Sequence, residues 1–266
     1  MVSLYSVKGK VAVVTGGAQS LGLCIARQLA QLGAKVVVGD ILSSGADAVA
    51  EINKEHGPDT AIFQTCDVTD SSALHALIDL AVSHFGQLDI LVNNAGILDK
   101  PWDKDPSGKT ALACININFS ALVDGTNYAL HKWNQDENSR GVVINIGSMA
   151  AYCPMEYYAT YAATKAAVAS FTKCLSGLAP KVRVNAVAPS WIETKLIEAE
   201  HIGHNHFTIK KYGLLQPQQV VDQVVRLIED ERLAGDIILI RNVEEPKLCT
   251  LPKADDMVAI MTSKDS

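Results

Sequence analysis

Tyr161-Ala162-Ala163-Thr164-Lys165 sets a phenol and an ammonium four residues apart, a spacing that puts both on one face of a helix. A free phenol titrates at about pH 10 and is a poor base at neutral pH. A cation held beside it favours the phenolate and lowers that value. The pair is therefore a proton-transfer device suited to alcohol chemistry. Ser148 stands thirteen residues upstream. Its hydroxyl suits two tasks, orienting a substrate oxygen or capping a turn. Asn118 lies inside the helix-like stretch Ile115 to Val123, where Asn is an indifferent helix former. It fits a residue that holds a water or a backbone group, and equally one that marks a kink.

A second set of residues suits a phosphate-bearing ligand. Thr15-Gly16-Gly17-Ala18-Gln19-Ser20-Leu21-Gly22 joins an apolar run to a helical pattern. Small residues there let the backbone approach a pyrophosphate, and the helix behind them aims free N–H groups and a positive dipole end at it. An ordinary strand-to-helix turn has the same look, so context matters: the cluster follows the first strand and opens a helix. Asp40 falls 24 residues after Gly16, at the end of the second strand. A carboxylate there accepts the 2′- and 3′-hydroxyls of an adenosine ribose and repels a 2′-phosphate. The turn carries no Arg or Lys, and Ile41 follows Asp40. NAD is favoured over NADP.

These groups need a scaffold, and the chain supplies a strand–helix alternation. Val11–Val14, Val36–Val38, Ala61–Thr65, Leu88–Val92, Val142–Ile146, Val182–Val187 and Ile237–Ile240 read as strands. Leu21–Leu32, Ala46–His56, a segment capped by Asp70 and ending at Phe85, Ala111–Trp133, Tyr157–Leu178 and Gln218–Asp230 read as helices. Nearly continuous apolar strands imply a sheet covered on both faces. The fold class expected is α/β: a single-domain, Rossmann-type, doubly wound parallel sheet of about seven strands. Residues 1–266 then form one dinucleotide-binding and catalytic domain, with a substrate loop at 190–215 and a C-terminal tail at 242–266.

Composition narrows the class. The 266 residues are 48% apolar and carry a net charge of −6, with no basic block, which speaks against nucleic acid. Six cysteines at wide spacings, with no C-x-x-C pair, suit reduced thiols in the cytoplasm rather than zinc or disulfides. His201, His204 and His206 fit no metal signature, so no metal is expected. Met1 to Lys10 shows no signal-peptide core and no run is long enough to span a membrane.

The turn Thr15 to Gly22, the run Asn93-Asn94-Ala95-Gly96, Ser148, and Tyr161 with Lys165 together resemble the short-chain dehydrogenase/reductase family, over roughly Lys8 to Ile240. Leu227-Ile228-Glu229-Asp230 ahead of Gly235, and Arg241 to Pro246 in place of the aspartate and two glycines of many bacterial members, resemble the NAD-dependent 15-hydroxyprostaglandin dehydrogenase branch. The resemblance implies Tyr161 as general acid/base, Lys165 lowering its pKa and binding the nicotinamide ribose, Ser148 orienting the substrate oxygen, and Asn118 holding a relay water. It implies a cofactor surface of Gly16, Gln19, Ser20, Leu21, Gly22, Asp40, Ile41, Asp67, Val68, Asn94, Ala95, Gly96, Tyr161, Lys165, Pro189, Ile192 and Thr194. Ser148, Cys153, Trp191 and Leu196 would face an apolar small-molecule substrate. Two copies would pair through the helices Ala111–Trp133 and Tyr157–Leu178 as a homodimer, a tetramer being the larger alternative. Two departures stand out: Ser20 where the family has its second glycine, and Ser190 where glycine follows Pro189. The expected reaction is oxidation of a secondary alcohol to a ketone. Its rivals are a biosynthetic carbonyl reductase and a non-catalytic nucleotide-binding regulator.

Overall fold

The computed structural model describes residues 5–153, 155–194, 209, 213–242 and 244–249. Leu196 and the three histidines of the substrate loop lie outside the described residues. Strands β1 (Val11–Thr15), β2 (Lys35–Asp40), β3 (Ala61–Thr65), β4 (Ile90–Asn93), β5 (Gly141–Ile146), β6 (Val182–Pro189), β7 (Ile237–Arg241) and β8 (Glu244–Leu248) form one sheet. Its order is β3-β2-β1-β4-β5-β6-β7-β8. All neighbours are parallel except β7 and β8. The chain winds outward from β1 in one direction and from β4 in the other. The crevice at their carboxyl ends is where ligands enter such sheets.

Helices α1 (Ser20–Gln31), α2 (Gly45–His56), α3 (Ser71–Phe85), α4 (Lys109–Ile115), α5 (Ala121–Asn134), α6 (Ala159–Cys174) and α7 (Pro217–Glu229) cover the sheet. The β1 side chains alternate between its faces. Ala12 and Val14 join Ile25, Leu29, Ile52, Val220 and Val224 of α1, α2 and α7. Val11 and Val13 join Leu74, Leu77, Ile78 and Trp133 of α3 and α5. Asp70 caps α3 as its position suggested, accepting from Ser72 N at 2.8 Å and Ala73 N at 3.2 Å.

Three elements differ from the sequence expectation. The sheet has eight strands, because Glu244–Leu248, placed in the tail, pairs antiparallel with β7. Its Glu-Glu-Pro-Lys-Leu carries no apolar alternation, so backbone pairing rather than side-chain burial defines it. The helix expected over Ala111–Trp133 is broken by a π-helical turn at Asn116–Ser120 between α4 and α5. The helix expected from Tyr157 to Leu178 is regular only over α6, with a short 3₁₀ turn on each side.

Candidate active site

The turn after β1 is shaped by close contacts. Gly16 has φ +64°, and a Cβ there would sit 2.9 Å from Ala95 Cα. At Gly22 a Cβ would run into the Gly16 carbonyl and the Asn94 amide. That amide donates to the carbonyls of Thr15 and Gly16, both at 2.9 Å. Thr15 Oγ1 accepts from Asn94 N at 3.1 Å and Ala95 N at 3.2 Å. Asn94 and Ala95, after β4, are thus pinned to the glycine turn after β1. The N-terminus of α1 has no side-chain cap and no acidic residue in its first turn. Its leading N–H groups suit a phosphate.

Asp40 closes the other side. It is buried, with Oδ2 accepting from Ala18 N at 3.0 Å and Oδ1 from Leu42 N at 3.0 Å. Each carboxylate oxygen retains acceptor capacity for a ribose hydroxyl. Ile41 is 66% exposed beside it. Asp67 Oδ1 holds Thr69 through N (2.9 Å) and Oγ1 (2.8 Å), and Val68 is buried in the α3-side core. A narrow, uncapped turn ending at a carboxylate fits an NAD-type dinucleotide.

Past β5, the Ser148 hydroxyl accepts from Ala150 N at 3.1 Å and lies near enough to the Tyr161 phenol to favour its phenolate. Of the two tasks read from its sequence position, the structure shows the turn cap, and the same hydroxyl lies on the side of the phenol. Lys165 is buried, donates to Ile146 O at 2.7 Å, and lies 5.6 Å from the centre of the Tyr161 ring. Burial pushes the Tyr161 phenol up, and the Ser148 contact pulls it down. Burial pushes Lys165 down from 10.5 to about 8. Burial is the larger influence on the phenol here, and the Ser148 hydroxyl works against it by favouring the phenolate.

Asn118 sits in the π-helical turn. Its Oδ1 accepts from Ile97 N at 2.8 Å and its Nδ2 donates to Ile97 O at 2.9 Å. Nδ2 also contacts Cys114 Sγ at 3.1 Å and Thr164 Oγ1 at 3.3 Å. The reading as a holder of a backbone group and the reading as a break in the helix both describe it. A Cβ on Gly96 would meet Asn118 Oδ1 at 3.3 Å and Lys165 Nζ at 3.7 Å, so Gly96, Asn118 and Lys165 share one corner. Pro189 ends β6 and Ile192 bridges Leu215; Thr194 Oγ1 donates to Ile192 O at 3.4 Å. Glu193 N to Leu215 O (2.9 Å) and Leu215 N to Trp191 O (2.8 Å) tie together the two ends of the segment expected to face the substrate.

Trp191 packs with Leu98, Tyr158, Tyr161, Ile209 and Leu214 in one apolar cluster. Leu98, Ile209 and Leu214 carry no pattern that singles them out in the sequence. Tyr158 does: it is one of two tyrosines just before Tyr161 that have no lysine four residues on. Cys153 is exposed. Among the described residues, no group of three His, Cys, Asp or Glu side chains is placed to hold a metal. No described helix is long and apolar enough to cross a membrane.

Residues 10–203 match the family model described as short chain dehydrogenase. The chain belongs to the short-chain dehydrogenase family. Human 15-hydroxyprostaglandin dehydrogenase [NAD(+)] is 34% identical to this short-chain dehydrogenase over 252 residues, which cover 88% of this chain and 91% of the relative. The short chain dehydrogenase helC of Aspergillus fumigatus is 34% identical over 250 residues, covering 89% and 97%. Among solved structures, 3-ketoacyl-(acyl-carrier-protein) reductase from Brucella melitensis complexed with NADH aligns with a TM-score of 0.79 at 29% identity, over 89% of this chain and 98% of that one.

Proposed function

We propose that this short-chain dehydrogenase is an NAD-dependent oxidoreductase that oxidises a secondary alcohol to a ketone, with Tyr161 as general acid/base. The observation that carries the proposal is Tyr161 with buried Lys165 Nζ 5.6 Å from its ring centre and the Ser148 hydroxyl nearby, inside the wall of Leu98, Tyr158, Trp191, Ile209 and Leu214. Gly16, Gln19, Ser20, Leu21, Gly22 and Asp40 would hold the adenosine and phosphate half of NAD. Asp67 and Val68 would flank the adenine, and Asn94, Ala95, Gly96, Lys165, Pro189, Ile192 and Thr194 would hold the nicotinamide half. Bound NAD supplies the hydride acceptor. Ser148 holds the substrate oxygen against Tyr161 Oη, and Tyr161 takes its proton. Asn118 keeps the segment after β4 in place beside Lys165 and, by resemblance, holds a relay water. The relative named [NAD(+)] and the neighbour bound to NADH support the cofactor. The apolar wall supports a mostly apolar alcohol, with Ser148, Trp191, Cys153 and Leu196 as the substrate-side residues.

Carbonyl reduction uses the same groups in reverse, and the dehydrogenase relatives favour oxidation. A regulator without turnover has no use for a Tyr–Ser pair set beside a buried lysine. The exposed apolar Leu112 on α4 and Tyr157 before α6 support pairing of two copies on that side. The six unpaired thiols support a reducing, cytoplasmic setting.

The deciding experiment is NADH formation over a panel of steroid, fatty, polyketide and sugar alcohols, for wild type and Tyr161→Phe. Tyr161→Phe is expected to lower kcat about 10²–10⁴-fold with NAD affinity retained. Equal turnover by both enzymes would overturn the assignment.

A further inference from the structure

The helix that carries Tyr161 and Lys165 begins without a cap of its own. Tyr158 occupies the cap position of α6 and makes no side-chain cap bond. The N–H groups of the first turn have no partner within a helix, and a local Ser, Thr, Asp or Asn ordinarily takes the second and third of them. Here those two belong to Thr160 and Tyr161. Both are taken by Asp99, 61 and 62 residues earlier in the chain: Oδ2 accepts from Thr160 N at 3.1 Å and Oδ1 from Tyr161 N at 3.1 Å. Asp99 is 4% exposed. Its negative charge lies at the positive end of the helix dipole.

The two residues before Asp99 grip the same region. Leu98 packs in the cluster that contains Tyr161, and both backbone groups of Ile97 are held by Asn118. Asn118 Nδ2 in turn reaches Thr164 Oγ1, which donates to Tyr161 O at 2.7 Å. The stretch 97–99 therefore braces the first turn of α6 at its N–H end, its carbonyl side and its apolar face.

We propose that Asp99 is a positioning residue for Tyr161: by capping α6 from the segment after β4, it sets the height and rotation of the helix so that the phenol meets Ser148. The proposal rests on the reading of Tyr161 as acid/base. A first turn without the cap can fray or turn, and a misplacement of about 1 Å at a reacting group can cost as much as 10²-fold in rate.

The pH profile separates positioning from plain structural support. The groups facing Tyr161 are Lys165 on its own helix, the Cys114 thiol from α4, the Ser148 hydroxyl after β5, and Tyr158 and Trp191 in the apolar wall. Substitution of Asp99 leaves all five in the chain. Loss of a nearby negative charge by itself moves a phenol's pKa down. Loss of the Ser148 contact moves it up, because that contact is what favours the phenolate. An upward move is therefore the mark of displacement.

The test compares Asp99→Ala and Asp99→Asn in the full-length enzyme, on the alcohol found to be turned over. Asp99→Ala is expected to lower kcat at least about tenfold, with the NAD dissociation constant within about twofold, and to move the rising alkaline limb of kcat/KM upward by about half a pH unit. Asn keeps one accepting oxygen and turns an NH₂ toward the other N–H, so Asp99→Asn is expected to show a smaller fall, about threefold, with the limb displaced the same way. Should Asp99→Ala not fold, Asp99→Asn alone decides. A limb that stays in place or moves down in Asp99→Asn overturns the proposal, whatever kcat does. If Tyr161→Phe turns over normally, it is the acid/base assignment that has failed instead.

Discussion

Asn118 holds both backbone groups of Ile97, accepting from its N–H at 2.8 Å and donating to its carbonyl at 2.9 Å. A side-chain amide does both at once, with separate donor and acceptor atoms set side by side. The bond pair ties the π-helical turn to the segment leaving β4, so Gly96 lies against Lys165. Asn118→Leu keeps the volume, strands the Ile97 N–H and leaves its carbonyl only the weak Cys114 thiol contact at 3.6 Å. Each unpaired buried group costs about 1–3 kcal/mol. The variant is expected to lose roughly 2 kcal/mol or more in urea unfolding, together with a fall in kcat. A variant as stable as wild type would show that water satisfies Ile97 instead.

Lys165 is expected to cost stability where it serves catalysis. Its folded pKa of about 8 lies below the ordinary 10.5, so between these values the unfolded chain binds more protons and stability rises with pH. The penalty is full below about pH 8 and is relieved toward 10.5. A shift of that size corresponds to about 3 kcal/mol. Lys165→Met removes the buried charge but leaves the Ile146 carbonyl without its donor, which returns about 1–2 kcal/mol. The net expectation at pH 7 is a variant about 1–2 kcal/mol more stable and nearly inactive. Its advantage should vanish by pH 10. Urea midpoints at the two pH values test this, and a Met variant less stable at pH 7 contradicts it.

What could be read from the sequence was what short spacings encode. The strand–helix rhythm, the Asp70 cap, the glycine turn with Asp40, and the Tyr161–Lys165 face are all patterns within about 25 residues. Asp99 could not be read as the cap of α6, because its partners lie 61 and 62 residues away and nothing in Leu98-Asp99-Lys100 points to them. The π-helical turn depends on the tertiary bonds of Asn118, and β8 on backbone pairing with β7. The Tyr161–Lys165 spacing was visible, yet the direction of the phenol's shift was decided by burial, which spacing does not carry.

Asp40 links cofactor choice to the shape of the turn. Its carboxylate takes Ala18 N and Leu42 N, so it braces the glycine turn in addition to the ribose contact proposed for it. Hydrogen bonds to a charged group contribute about 1.5–3 kcal/mol. Asp40→Ala is expected to raise KM for NAD about 10–100-fold and to narrow the preference over NADP, since the charge that repels a 2′-phosphate is gone. Steady-state kinetics with both cofactors test it. An unchanged NAD-to-NADP ratio would show that discrimination lies elsewhere.

Ser20 is in the left-handed region, with φ +51°, where the family has a glycine. That conformation costs a residue with a Cβ roughly 1–2 kcal/mol. Glycine avoids the clash but adds freedom to the unfolded chain, which offsets part of the gain, roughly 0.5–1 kcal/mol. Ser20→Gly is therefore expected to stabilise the protein by about 0.5–1 kcal/mol in urea unfolding. The leading N–H groups of α1 remain in place and are the main phosphate donors at such a turn. KM for NAD is accordingly expected to change by less than about threefold. A stabilised variant whose KM rises well beyond that would assign the Ser20 hydroxyl a direct bond to phosphate, and would explain why a strained serine is kept in the turn.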